Sequence, residues 1–258
     1  MMAEHASTGA TGHQAGAAAR NVAGTLKFVL PLARWAAWPP ADPSADRAFA
    51  LGFADAGVRR RLSNLAKASL HVAHQCAGDA PGSSQLRVVY ASRHGELTRT
   101  TDLLGELAAG DELSPLNFSM SVLNASMGVY SIARQNQAAC TAISAAGSTL
   151  GWAMLEASLQ LADDPSGPVL LVYADEPVPA VYGEAVGDVA EPMALALLLD
   201  AKAETQLVCE TALVDIDGTH DQAIDVAQAE AVLRCLRSGT AGHWTGEGRH
   251  WSFEPCKR

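Results

Sequence analysis

The sequence predicts an α/β fold built on a largely parallel sheet, and three observations predict it. Apolar runs of strand length alternate with stretches of helical periodicity up to residue 200. Two of those runs, Pro168–Ala174 (PVLLVYA) and Met193–Asp200 (MALALLLD), are nearly continuous, as strands covered on both faces require. Hydrophobic residues make up 48% of the 258, and the 22 Gly and 12 Pro are scattered, so the chain can bury a large core and is neither collagen, coiled coil nor disordered throughout.

In chain order, residues 1–23 are rich in Ala, Gly, Thr and His and read as a disordered tail. They lack a basic stretch followed by an apolar one, so they do not read as a secretory signal. Leu26–Leu30 (LKFVL) reads as a short buried strand ended by Pro31, and the following WPPADPSADRA cannot hold regular structure for long. Arg59–Ala77 carries Leu62, Leu65, Ala66, Leu70, Val72 and Ala73 at helical spacing, so Arg59-Arg60-Arg61 are expected to open a helix, against its macrodipole. Gly78–Ser84 is a turn cluster, and Leu86–Ala91 (LRVVYA) a second strand leading through Ser92-Arg93-His94-Gly95 to a helix near Glu96–Ala109. Ser114-Pro115 combines an N-cap with Pro at the first helical position, and the helical region beyond runs to about Ala133 with a break near Asn124–Ala125.

Ala138–Ser144 (AACTAIS) is the third strand, Gly147–Ala162 an amphipathic helix carrying Leu150, Met154, Leu155, Leu159 and Leu161, and the two continuous apolar runs are strands four and five. Beyond residue 200, Gln206–Asp217 reads as a strand, Asp221–Leu236 as a helix and His243–Phe253 as a last strand or a loose end. The expected organisation is a tail (1–23), one α/β domain (24–200) and a partly ordered strand–helix extension (201–258).

Several function classes lose support at this point. A net charge of -10 argues against nucleic acid as the main partner. No apolar run approaches the ~18 residues of a membrane span. The five cysteines (Cys76, Cys140, Cys209, Cys235, Cys256) are widely spaced without C-x-x-C, which points to free thiols in a reducing cytoplasm. His71 and His74 lack a third ligand, so no metal is expected. No G-x-G-x-x-G or P-loop occurs, and no cofactor is implied. Gly147-Ser148-Thr149-Leu150-Gly151 places Thr where a nucleophile elbow needs Ser. Asp175-Glu176 pairs two carboxylates whose adjacent side chains diverge, so both are read as solvated in a loop.

One stretch is more specific. Ser114–Ala157 (SPLNFSMSVLNASMGVYSIARQNQAACTAISAAGSTLGWAMLEA) resembles the N-terminal half of β-ketoacyl synthases, in which F-x-x-S-V-x-N-A-x-x-G-x-x-S-I precedes the strand and helix carrying a nucleophilic cysteine. More narrowly, it looks like the short ketosynthase-like proteins of aryl polyene and xanthomonadin-type pigment clusters, called chain-length factors. Arg59–Leu65 (RRRLSNL), Tyr90–Thr100 (YASRHGELTRT), Ala174–Pro179 (ADEPVP) and Met193–Leu199 fit the same subfamily, so the matches span about residues 32–200. Leu123 stands where that subfamily often has His. The resemblance implies a thiolase-like half, with a five-stranded mixed sheet between helix layers, followed here by a short C-terminal extension.

The resemblance also sets a register. Anchoring on Ser131-Ile132 and Glu156-Ala157 puts Gly147 at the nucleophile position, where it has no side chain to attack a thioester. A rival register makes Cys140 the nucleophile; on its own residues, Cys140 reads as a buried small hydrophobe within a β-branched run. Neither Asp217-Gly218-Thr219-His220 nor Gly242-His243-Trp244 matches the family's C-terminal histidine motifs, and the 58 residues past Asp200 are too few for a second thiolase half.

The implied function is a non-catalytic subunit that pairs with an active ketosynthase and shapes the end of its acyl tunnel. The alternatives are a condensing enzyme using Cys140 and a purely structural homodimer. By resemblance, the interface comprises Asn117, Phe118, Met120, Ser121 and Met127, with the third strand (Ala138, Ala139, Cys140, Thr141, Ala142, Ile143, Ser144) pairing across a two-fold. Phe118 and Met127 could equally be core. Arg34, Arg59, Arg60 and Arg61 are candidate docking charges for a transiently bound, acidic acyl carrier protein.

Overall fold

The computed structural model describes residues 24–78, 85–183, 189–214 and 227–258. The chain forms β1 (Leu26–Trp38), α1 (Ala56–Arg59), α2 (Asn64–Ala77), β2 (Arg87–Ala91), α3 (Leu97–Ala109), α4 (Pro115–Ser119), α5 (Ala125–Ala133), β3 (Cys140–Ile143), α6 (Thr149–Asp163), β4 (Val169–Asp175), β5 (Met193–Leu199), β6 (Thr205–Leu213), α7 (Gln228–Ser238), β7 (Gly242–Gly246) and β8 (Arg249–Lys257). One mixed sheet runs β3-β2-β4-β5-β1-β6-β8-β7. β3, β2 and β4 are parallel; every further pairing is antiparallel.

Period-two alternation divides the central strands between two layers. Val88, Tyr90, Leu170, Val172 and Ala174 face the layer containing α2 and α5. Val89, Ala91, Leu171, Tyr173, Leu195 and Leu197 face the layer containing α6 and α7. Every residue of β4 and β5 is buried, as their unbroken apolar runs require.

The five expected strands are the β3-β2-β4-β5-β1 half of an eight-stranded sheet. The strand expected over 206–217 is β6, which pairs with the first half of β1, and the 243–253 segment is a hairpin, β7–β8, added beyond it. Leu26–Leu30 does not stop at Pro31. Its strand continues to Trp38, because β1 changes partner at that point: residues 26–31 pair with β6 and residues 32–38 with β5. A bulge follows between Leu32 and Arg34, so the missing Pro N–H falls where the ladder is already interrupted.

The arginine triad does not open the long helix. Arg59 ends α1, where a cation suits the dipole, and α2 starts afterwards on an Ser63 N-cap whose hydroxyl accepts from Ala66 N–H at 2.9 Å. The break near Asn124–Ala125 separates α4 from α5. The tail (1–23), most of the Gly78–Ser84 turn and the first part of the Asp221–Leu236 helix lie outside the described residues.

Candidate functional site

β3 leads through a one-turn 3-10 segment, Ala146–Ser148, into α6. The position assigned to a nucleophile therefore sits at the mouth of a helix, where backbone N–H groups and the dipole attract negative charge. That mouth is filled from within the chain. The Glu247 carboxylate accepts from Gly147 N–H at 2.7 Å and from Ser148 N–H at 3.2 Å. A Cβ at Gly147 would lie 3.1 Å from Glu247 Oε1 and 3.4 Å from the Trp244 ring.

One turn further, Gly151 N–H donates to Gln228 Oε1 at 2.7 Å, and a Cβ at Gly151 would lie 2.7 Å from the Trp251 ring. The start of α6 is thus pressed against α7 and the β7–β8 hairpin. Thr149 donates its hydroxyl to Ala146 O at 2.6 Å and is buried, leaving no free nucleophile of its own. His243 and His250 lie on the same hairpin but stack on each other at 5.6 Å, with His250 Nδ1 2.7 Å from Thr245 Oγ1. Burial, with His243 adding, holds His250 below the usual histidine range. His220 lies outside the described residues.

A second polar cluster ties the C-terminal ends of β2 and β4 together. Asp175 is buried, not solvated, because the loop after β2 turns its N–H groups onto it. Its carboxylate accepts from Arg93 N–H (2.9 and 3.0 Å), His94 N–H (3.2 Å), Ser92 Oγ (2.7 Å) and Tyr173 OH (2.5 Å). Burial pushes its pKa up while these hydrogen bonds oppose the shift. Glu176 does diverge, accepting from Thr98 Oγ1 at 2.7 Å. Glu96, also raised by burial, accepts from Ser63 Oγ at 2.8 Å and pairs with Arg99 at 3.4 Å. Arg99 in turn donates to Asn117 Oδ1 (3.3 Å) and Arg61 O (3.1 Å), clamping α3 to α4 and to the arginine turn.

Sequence reasoning named Gly147 but missed its partner Glu247, and it missed the Asp175 cluster. Ser92 with Asp175 was the available signal, a hydroxyl and a carboxylate closing two central strands. Glu247 gave none, because it lies 100 residues from Gly147.

The remaining sequence-derived residues fall as follows. Cys140 is not a buried hydrophobe: it starts β3 at the sheet edge and is exposed, and among the described residues no further strand pairs with that edge. Although the residue is exposed, partial desolvation of the thiol still raises its pKa, which disfavours the thiolate a nucleophile needs. Of the two roles open to Met127, it fills the core, at 0% exposure; Phe118 lies on the surface, 63% exposed. Asn117, Met120 and Ser121 are half-buried beside it, as are Ala138, Thr141 and Ile143, while Ala139, Ala142 and Ser144 are exposed. Leu123 is half-buried against the α2–α5 core.

Arg60 and Arg61 are exposed and Arg59 half-buried; Arg34 donates to Ala77 O at the end of α2 (2.9 Å). His71 accepts from Ala50 N–H at 2.8 Å, and no cluster of three metal-ligating side chains exists among the described residues. No helix among them is long and apolar enough to cross a membrane.

A family model described as "Beta-ketoacyl synthase, N-terminal domain" matches residues 34–254. No curated protein matches the chain. Among solved structures, it resembles a chain of the ketosynthase ApeO in complex with its chain length factor ApeC from Xenorhabdus doucetiae, with TM-score 0.72 and 24% identity over 88% of this chain and 99% of that one. It also resembles the ishigamide ketosynthase/chain length factor (TM-score 0.52, 19% identity, 69% of this chain, 55% of that one). A β-ketoacyl synthase from Burkholderia phymatum STM815 is similar at TM-score 0.52 and 16% identity, over 78% of this chain and 62% of that one. The fold is the mixed α/β thiolase-like one.

Proposed function

Because the chain belongs to the β-ketoacyl synthase N-terminal-domain family, we propose that it is a ketosynthase-like subunit of the chain-length-factor type, which pairs with an active β-ketoacyl synthase and catalyses no condensation itself. The observation that carries this reading is the occupied mouth of α6. Position 147 has no side chain, and the N–H groups that would serve a thioester there are held by Glu247. Acyl transfer and condensation then fall to the partner, with an acyl carrier protein delivering substrate in the cytoplasm and this chain bounding the far end of the acyl tunnel in a polyene or fatty-acid-like pathway.

Two surface features support the pairing. Val88 N–H donates to Ala139 O and Ser92 N–H to Ile143 O, so alternate residues of β3 face β2. A residue's N–H and C=O point the same way along a strand, which leaves those of Cys140 and Ala142 on the open edge, ready for another strand. In addition, α3 buries only Leu103, while Leu104, Leu107, Leu116, Phe118 and Val122 stand exposed on α3, α4 and the turn after it. Apolar side chains gathered in this way mark an interaction face. Two of the similar structures are named as pairings of a ketosynthase with a chain length factor.

Co-expression with a ketosynthase tests the reading. A 1:1 complex by light scattering, with condensation activity lost when the partner's nucleophile is replaced and retained in this chain's Cys140→Ser, is the expected result. A chain that stays alone in the presence of the ketosynthase overturns it, and one that pairs only with itself supports a structural homodimer instead.

A further inference from the structure

Two residues with positive φ flank one pair of hydrogen bonds in this fold. Among the described residues, only Gln135, Ala146 and Glu247 hold a positive φ without being glycine. Ala146 (φ 47°) leads into α6, and Glu247 (φ 54°) with Gly248 (φ 71°) forms the two-residue turn between β7 and β8. Positive φ at both positions is the geometry that favours Asn-Gly in a hairpin, so the backbone gives no reason for a glutamate. Its side chain does: the carboxylate spans Gly147 N–H and Ser148 N–H, next to the strained Ala146. Strain at Glu247 and at the residue preceding the amides it holds marks a place where the surrounding structure holds an uncommon arrangement for use.

We propose that the β7–β8 turn is a stopper, with Glu247 occupying from within the chain the pair of N–H groups at the mouth of α6 and thereby closing position 147 to acyl thioesters. This rests on the reading of position 147 given above and assigns the closure to the β7–β8 turn, whose backbone aims Glu247 at those amides. A carboxylate there is favoured by the dipole and by two charge-assisted hydrogen bonds, whereas a thioester carbonyl is a neutral acceptor and competes poorly. Trp244, on the same hairpin, also lines position 147, 3.4 Å from where a Cβ would stand. The closure therefore has two layers, the missing side chain and the filled amides. Restoring a thiol alone leaves the second in place, and the adjacent negative charge opposes formation of its thiolate.

The test compares Gly147→Cys with the double variant Gly147→Cys/Glu247→Ala, each confirmed as folded by its thermal transition. Both are treated with iodoacetamide and read by peptide mass spectrometry, with exposed Cys140 as the internal reference. The introduced thiolate displaces iodide to form a thioether, and its proton goes to the buffer. Labelling at position 147 is expected to be at least ~tenfold faster in the double variant, with its pH midpoint about one unit lower. Equal rates in the two variants, or no labelling in either, overturn the stopper.

Hydrogen exchange in the otherwise native chain gives a second arm that does not depend on an introduced thiol. Glu247→Ala is expected to speed exchange at the Gly147 and Ser148 amides at least ~tenfold and Glu247→Gln much less, since the amide oxygen still accepts. Unchanged exchange in Glu247→Ala overturns the proposal. Neither arm involves a partner subunit, so failure here is separable from failure to form a complex.

Discussion

His71 and His74, three apart on α2, illustrate how a single contact decides what a residue can do. His71 Nδ1 accepts from Ala50 N–H at 2.8 Å, so the ring is neutral with its proton on Nε2, and the Phe49 ring packs edge-on to it at 6.1 Å. Burial, with His74 adding, lowers its pKa from the ordinary value of 6.5. As pH falls from 6.5 towards the folded-state pKa, the unfolded chain takes up a proton that the fold refuses, so this residue's contribution to stability is lost over that window. His71→Asn keeps an acceptor near Nδ1 but does not titrate. The drop in thermal midpoint between pH 7.5 and 5.5 is therefore expected to be smaller in His71→Asn than in the native chain; an equal drop would show that His71 does not carry it.

At the scale of the element, strands four and five were legible because both faces of each are covered, which leaves an apolar run with no alternation to misread. The limits of β1 were not, because its length depends on two partners that a local reading cannot see. Arg87 belongs to the same class of surprise: its guanidinium donates to Gln160 O and Asp164 O (2.6 Å each) and Gly167 O (2.7 Å), satisfying carbonyls at the end of α6 and in the turn before β4 from the start of β2. β3 offers the sharpest test of pairing. Ala142→Pro removes an N–H on the open edge and none that bonds β2. The variant should stay folded, with its thermal midpoint close to that of the native chain, and lose the ketosynthase complex in co-purification. An intact complex would show that the partner does not add to this edge.

For the whole molecule, the deciding feature is that the last strands complete the same sheet as the first. Trp251 on β8 is fully buried, with its ring 5.3 Å from Trp152 of α6 and 6.5 Å from Phe28 of β1. It joins the C-terminal hairpin to both. Trp251→Ala is expected to cost about 3–5 kcal/mol, as large-to-small core replacements of aromatic residues do. Far- and near-ultraviolet circular dichroism should still give one coincident denaturant transition. Loss of the hairpin ahead of the rest, seen as two transitions, would make residues 205–257 a separate unit.

The sequence by itself determined the α/β class, the central strands, the helix break near Asn124–Ala125 and the glycine at the mouth of α6, because each is written in local periodicity, turn chemistry or a compact motif. Only the tertiary structure decided that this mouth is filled by Glu247, that Asp175 is buried under a loop from β2, and that Cys140 faces solvent. Those facts depend on which distant segments the sheet order brings together. A side chain's neighbours across 80 to 100 residues leave no trace in its own periodicity.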